Sequence, residues 1–200
     1  MASQVQGLLP DRAGAALIVL DMISNFQFPD GGRVARAARR IAPRIAALKA
    51  RCTRAGLACI YVNDNPGRWQ SNSARLIEEA AKPRAAGADI ARLLRPGPSD
   101  YFILKPRHSA FYATPLEVLL EHLGTRRLIL TGVSGHQCVL FTANDAYLRN
   151  LELIVPSDCV ASPDARDARF ALRYFARALD ARVAPSAQLK LRALNRTKRR

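Results

Sequence analysis

Residues 127–156 read RLILTGVSGHQCVLFTANDAYLRNLELIVP, an apolar run, a glycine-rich turn, a helix-like segment and a second apolar run in succession. Arg127–Thr131 and Leu151–Val155 are too uniformly apolar for a half-exposed antiparallel sheet, whose strands alternate. They fit strands covered on both faces. Gln137–Leu148 has the length of a crossover helix, so the stretch reads as a β-α-β unit with parallel strands.

The same alternation continues on both sides. Ala15–Leu20, Leu57–Val62 and Tyr101–Leu104 are further apolar strands, and Ala181–Ala184 is a weaker sixth. Val34–Ala55 reads as a long helix with Ile41, Ile45 and Leu48 on one face. Pro115–Leu123 follows Thr114 as N-cap, with Pro115 at the first helical position. Asp164–Leu179 enters through Ser162-Pro163, and Pro185–Leu194 is expected as a terminal helix. The expected class is α/β, a parallel sheet with helices on both faces. Asn63–Pro98 departs from this rhythm, carrying Pro66, Gly67, Pro83, Gly87, Pro96 and Gly97 around one short helical piece near Ala74–Ala81. A long insertion at a strand's C-terminal end belongs where open α/β sheets bind ligands.

Two hundred residues, 49% apolar and 24% charged, suit one self-sufficient domain. Residues 1–195 are read as that domain and 196–200 as a basic tail. No apolar run approaches the roughly 20 residues of a membrane span. Met1–Arg12 lacks the basic start and apolar stretch of a secretory signal, so a cytoplasmic protein is expected. Cys52, Cys59, Cys138 and Cys159 are scattered, with no C-x-x-C pair, which speaks against a zinc or disulfide framework. The net charge of +15 invites a nucleic-acid reading, but much of the excess lies between Arg182 and Arg200, where no acidic residue occurs. Aromatics are only 6%, and no known nucleic-acid motif accompanies the charge. No G-x-G-x-x-G or P-loop pattern occurs either, which sets aside dinucleotide and nucleoside triphosphate cofactors.

The chemistry is therefore sought just beyond the strand ends. Asp21 follows the first strand and reads either as a working carboxylate or as a cap of the next turn. Lys105 follows the third and reads either as a site cation or as a solvated lysine. After the fourth come Thr131-Gly132-Val133-Ser134-Gly135-His136-Gln137-Cys138, which place Cys138 near the start of a helix. The peptide dipole there favours a thiolate. A carboxylate, an ammonium and a thiol from three strand ends are the parts of a nucleophilic triad. The competing reading of Cys138 is a small buried hydrophobe.

Taken in order, Ala15-Leu-Ile-Val-Leu-Asp21-Met22, then Lys105 with Ser109-Ala110-Phe111, then Thr131-Gly-Val133-Ser134 leading to Cys138 and Thr142-Ala-Asn-Asp145-Ala146 resemble the isochorismatase-like cysteine hydrolases. That family includes nicotinamidases and carbamoylsarcosine amidohydrolases. The resemblance covers most of the chain. It implies a doubly wound three-layer αβα fold with a six-stranded parallel sheet in Rossmann-like order 3-2-1-4-5-6. It also implies Asp21, Lys105 and Cys138 as catalytic triad, a cis peptide at Val133–Ser134 beside the oxyanion site, and a homodimer or homotetramer.

Departures from the family pattern narrow the expectation. Metal-binding members carry Asp-x-His after the second strand, whereas this chain reads Val62-Asn63-Asp64-Asn65-Pro66-Gly67-Arg68-Trp69 without histidine, so no metal and no cofactor are expected. Asp21-Met22-Ile23-Ser24-Asn25-Phe26 differs from the nicotinamidase opening, which makes nicotinamide a less expected substrate. Phe26, Trp69, Phe111 and His136 are candidate substrate-binding residues, and His108 a pocket-wall group. The expected activity is hydrolysis of a C–N bond in a small amide, ureide or carbamoyl compound through a thioester. Asp21 would take the thiol proton, pass it to the departing amine and then activate the water that releases the acid, while backbone N–H groups of Ser134 and Cys138 would hold the oxyanion, each such donor worth ~3 kcal/mol. The alternatives are a thiol-free vinyl-ether hydrolysis, in which His136 resembles an isochorismatase histidine, and a non-catalytic protein binding an anionic partner.

Overall fold

The computed structural model describes residues 13–65, 67 and 72–195. Six strands form one sheet: β1 (Ala15–Leu20), β2 (Ala58–Asp64), β3 (Tyr101–Lys105), β4 (Arg127–Gly132), β5 (Glu152–Pro156) and β6 (Arg182–Ala184). All neighbours pair in parallel, in the order β3-β2-β1-β4-β5-β6. Every residue of the central strand β1 is fully buried, because crossover helices cover both faces of a parallel sheet.

The period of two along β1 divides the core. Ala15, Leu17 and Val19 face one apolar cluster, together with Val34, Ile45 and Leu48 of α1 (Gly31–Arg54). Ala16, Ile18 and Leu20 face the other, shared with α4 (Leu116–His122), α5 (Leu140–Leu148) and α6 (Ala165–Ala178). Leu17 and Ile18 are adjacent yet serve opposite cores, so truncating either to alanine opens a void worth about 2–5 kcal/mol. Strand order reverses between β1 and β4, and ligands of open α/β sheets bind beyond the strand ends at such a switch point.

Three expectations about helices are corrected. The insertion after β2 holds two helices, α2 (Ser73–Ala81) and α3 (Ala88–Leu93). The second is too short for its period to show in sequence, and it is held by buried Ile90 and Ala91 and by Arg39, which reaches Asp89 and the Ala86 carbonyl. The helix of 137–148 begins instead as a wider π turn over Gly135–Val139 before α5. The terminal helix is divided into a 3-10 turn, Ser186–Gln188, and α7 (Leu191–Leu194). Arg51 takes the Ser186 and Leu189 carbonyls, each at 2.9 Å, and Asp158 binds the Ser186 N–H and hydroxyl, so a continuous helical ladder cannot form there. Thr114 Oγ1 accepts the Leu116 N–H just before α4, whose N-cap position falls on Pro115 rather than on Thr114.

Gly132 sets how closely the chain passes the end of β1. Its φ is +111, and a Cβ there would lie 2.0 Å from the Leu20 carbonyl oxygen, so only glycine permits the pairing of Leu20 with Gly132.

Candidate active site

The three strand ends and the π turn meet at a cleft of about 990 Å³. Asp21 leaves β1 at φ 52, its N–H held by the Val62 carbonyl of β2. Left-handed backbone is tolerated best by Asp and Asn among side-chain-bearing residues. Lys105 ends β3 opposite Asp64. The turn carrying Cys138 is pinned from its far side, with the Gly132 N–H on the Cys159 carbonyl and the Gly135 N–H on the Ala161 carbonyl. Val133–Ser134 is a cis peptide bond, and the Ser134 N–H donates to none of the described residues.

Lys105 Nζ lies 3.0 Å from Asp21 Oδ2, 3.2 Å from the Arg107 carbonyl oxygen and 3.5 Å from Cys138 Sγ. Asp21 Oδ1 accepts the Asp64 N–H at 2.8 Å. Cys138 Sγ has a further neighbour, His108 Nδ1, at 3.6 Å. The structure thus brings Asp21, Lys105 and Cys138 together at one sulfur, and sets His108, expected as a pocket-wall group, in the cleft lining and against that sulfur.

Lys105 is only 1% exposed. Burial works against its charge, but Asp21, the Cys138 sulfur and Asp64 outweigh it and hold the ammonium above its ordinary value. The thiol goes the opposite way from the helix-dipole expectation. Burial pushes Cys138 well up and Asp21 pushes it further, while Lys105 pulls back without winning. Burial and Asp21 thus favour the protonated thiol beside a carboxylate, so reaction at this sulfur would begin with a proton transfer to a neighbour.

Phe26 lines the cleft at its floor with Ile23 and Phe28, and Val133, Ser134 and His108 line it near the sulfur. Two of the expected substrate-binding residues do not line this cleft. Phe111 is 6% exposed and packs in the core with α4 and α5, its outer ring face covered by Arg149 at 4.7 Å. His136 turns to α6, with Nδ1 3.0 Å from Ser162 Oγ and Nε2 3.8 Å from Asp167. Trp69 lies outside the described residues. Asn63 Nδ2 donates to the Ile23 carbonyl and Asn65 Oδ1 accepts the Gly67 N–H, while Asn63 Oδ1 is buried without a hydrogen-bond partner among the described residues. Gln137, Arg75 and Glu79 also line the cleft; nothing in their spacing singles them out in the sequence.

Residues 15–188 match the Isochorismatase domain family. The chain belongs to the isochorismatase family. It is 40% identical over 178 residues to the uncharacterized isochorismatase family protein YaaI of Bacillus subtilis, covering 89% of this chain and 97% of that one. It is 31% identical over 182 residues to the ureidoacrylate amidohydrolase RutB of Methylorubrum extorquens, covering 78% and 73%. The crystal structure of N-carbamoylsarcosine amidase from Thermoplasma acidophilum superposes with a TM-score of 0.68 at 27% identity, over 88% of this chain and 98% of that one. The order of the sheet is that of the isochorismatase-like fold, and the chain is an isochorismatase-family hydrolase. No helix among the described residues is long and apolar enough to cross a membrane.

Proposed function

We propose that this hydrolase cleaves a C–N bond of a small amide, ureide or carbamoyl compound through a thioester on Cys138. The carrying observation is the convergence of Asp21 and Cys138, which line the cleft, on the buried Lys105 ammonium. Asp21 takes the thiol proton as sulfur attacks the carbonyl carbon. Lys105 offsets the negative charge passing from carboxylate to sulfur, which a buried ammonium does far better than a solvated one. The unengaged Ser134 N–H, with that of Cys138, receives the tetrahedral oxyanion. The nitrogen leaves, and water then releases the acid from the thioester.

The activities named for RutB and the carbamoylsarcosine amidase, both amide-type hydrolyses, support this reading. The vinyl-ether alternative drew on His136, whose ring is turned out of the cleft to Ser162. The test is an ammonia-release screen over primary amides, ureides and carbamoyl compounds. The expected result is turnover of at least one class by the wild type, lost in Cys138→Ala and in Asp21→Asn. Undiminished turnover in Cys138→Ala would overturn the covalent route.

A further inference from the structure

We propose that His108 is a catalytic residue of this site, its imidazole protonating the departing nitrogen and then taking the proton from the water that hydrolyses the Cys138 thioester. The inference rests on the thioester reading above and gives to His108 two proton transfers that the sequence reading gave to Asp21.

Three observations carry it. The first is position: His108 Nδ1 lies 3.6 Å from Cys138 Sγ, so a water bonded to that nitrogen sits beside a carbonyl carbon carried on the sulfur, within the ~3 Å reach that general-base catalysis requires.

The second is rigidity, because the loop bearing His108 is fastened at both ends to the machinery itself. On one side the Arg107 carbonyl accepts from Lys105 Nζ at 3.2 Å. On the other, the Ala110 N–H donates to Thr142 Oγ1 at 3.0 Å, and that hydroxyl donates to the Cys138 carbonyl at 2.7 Å. Ser109 binds Asp145 of the same helix, and the imidazole rests against the Phe141 ring, centroids 5.4 Å apart. The separation of His108 from the sulfur is thus set by the helix that carries the sulfur.

The third is access. Asp21 has both oxygens engaged, by Lys105 and by the Asp64 N–H, and its side chain is 16% exposed. His108 is exposed and lines the cleft. Water arriving from the cleft meets the imidazole, and the departing nitrogen passes it.

The protons balance over one cycle. The thiol proton goes to Asp21 as the S–C bond forms. The imidazolium gives its proton to nitrogen as the C–N bond breaks. The neutral imidazole takes a proton from water as oxygen attacks the thioester. The S–C bond then breaks, and Asp21 returns its proton to sulfur. Substrate and water become acid and amine, and every enzyme group regains its starting state.

p-Nitrophenyl acetate separates the two halves, since nitrophenolate leaves without a proton and its burst reads acylation while the steady state reads deacylation. Wild type is expected to give a burst, an acetyl adduct on Cys138 by mass spectrometry, and turnover. His108→Gln and His108→Asn are expected to keep the burst and the adduct while steady-state turnover falls about 100-fold or more. Steady-state rates within twofold of wild type in both variants, with the adduct present, overturn the role of His108 and leave the thioester reading standing. Absence of any Cys138 adduct in the wild type overturns the thioester reading and this inference with it.

Discussion

Replacing Lys105 by methionine keeps the length of the stem and removes the charge. The ammonium is 1% exposed and touches Asp21 Oδ2, the Arg107 carbonyl and Cys138 Sγ. Breaking a buried ion pair by removing one partner costs about 3–5 kcal/mol. Here the lower end applies, since Asp21 keeps the Asp64 N–H and some exposure to water. Lys105→Met should therefore lose about 3 kcal/mol in urea unfolding at pH 7. The ammonium stands above its ordinary value in the fold. Its contribution is then complete below the unfolded lysine value, about 10.4, and is lost as pH rises through the folded value. The gap between wild type and variant should stay constant from pH 7 to about 10 and narrow above it. Turnover should fall about 100-fold or more, as for a lost preorganised electrostatic group. A stability loss below about 0.5 kcal/mol, within the range of an ordinary surface substitution, would refute the claim that this ammonium supports the site.

Cys138 should react first with iodoacetamide, because it is partly exposed whereas Cys52, Cys59 and Cys159 are buried with raised thiols. The Cys138 thiol is also raised, so its labelling should be slow at pH 7 and climb about tenfold per pH unit toward pH 9; a plateau from pH 7 upward would show a resting thiolate instead. Phe111→Ala should cost about 3–5 kcal/mol in unfolding free energy with KM unchanged, and a raised KM would return Phe111 to the cleft wall. His136→Ala should likewise leave KM unchanged, since the ring faces Ser162 rather than the cleft.

Five of the strands were legible because each is a mainly apolar run, as a sheet covered on both faces requires. Their spatial order was not in those runs and came with the resemblance. The proposed trio stood out because Asp21 and Lys105 come at strand ends and Cys138 follows the glycine-rich turn after the fourth strand. What sequence could not supply is direction within a loop or turn. His136 and Cys138 sit in one turn, but residues two apart on a helical turn do not share a face, so one reaches α6 and the other the cleft. Phe111 lies two residues beyond Ser109, whose hydroxyl binds both the Phe111 N–H and Asp145, and this turns the ring into the core. His108 is three residues past Lys105, and only the clamping of its loop onto α5 brings it to the sulfur. For the Cys138 thiol, a dipole and a cation are visible in sequence, whereas the burial and the carboxylate of Asp21 that push it up are not.

The central claim is a covalent bond between Cys138 and the acyl part of the substrate. Quenching the wild-type enzyme within one turnover, on the best compound of the ammonia-release screen, and mapping the peptides by mass spectrometry tests it directly. The account predicts an acyl adduct on Cys138 that forms before acid is released, and no adduct with no turnover in Cys138→Ala. Product release at the wild-type rate by Cys138→Ala, or an adduct on any other residue, would contradict it.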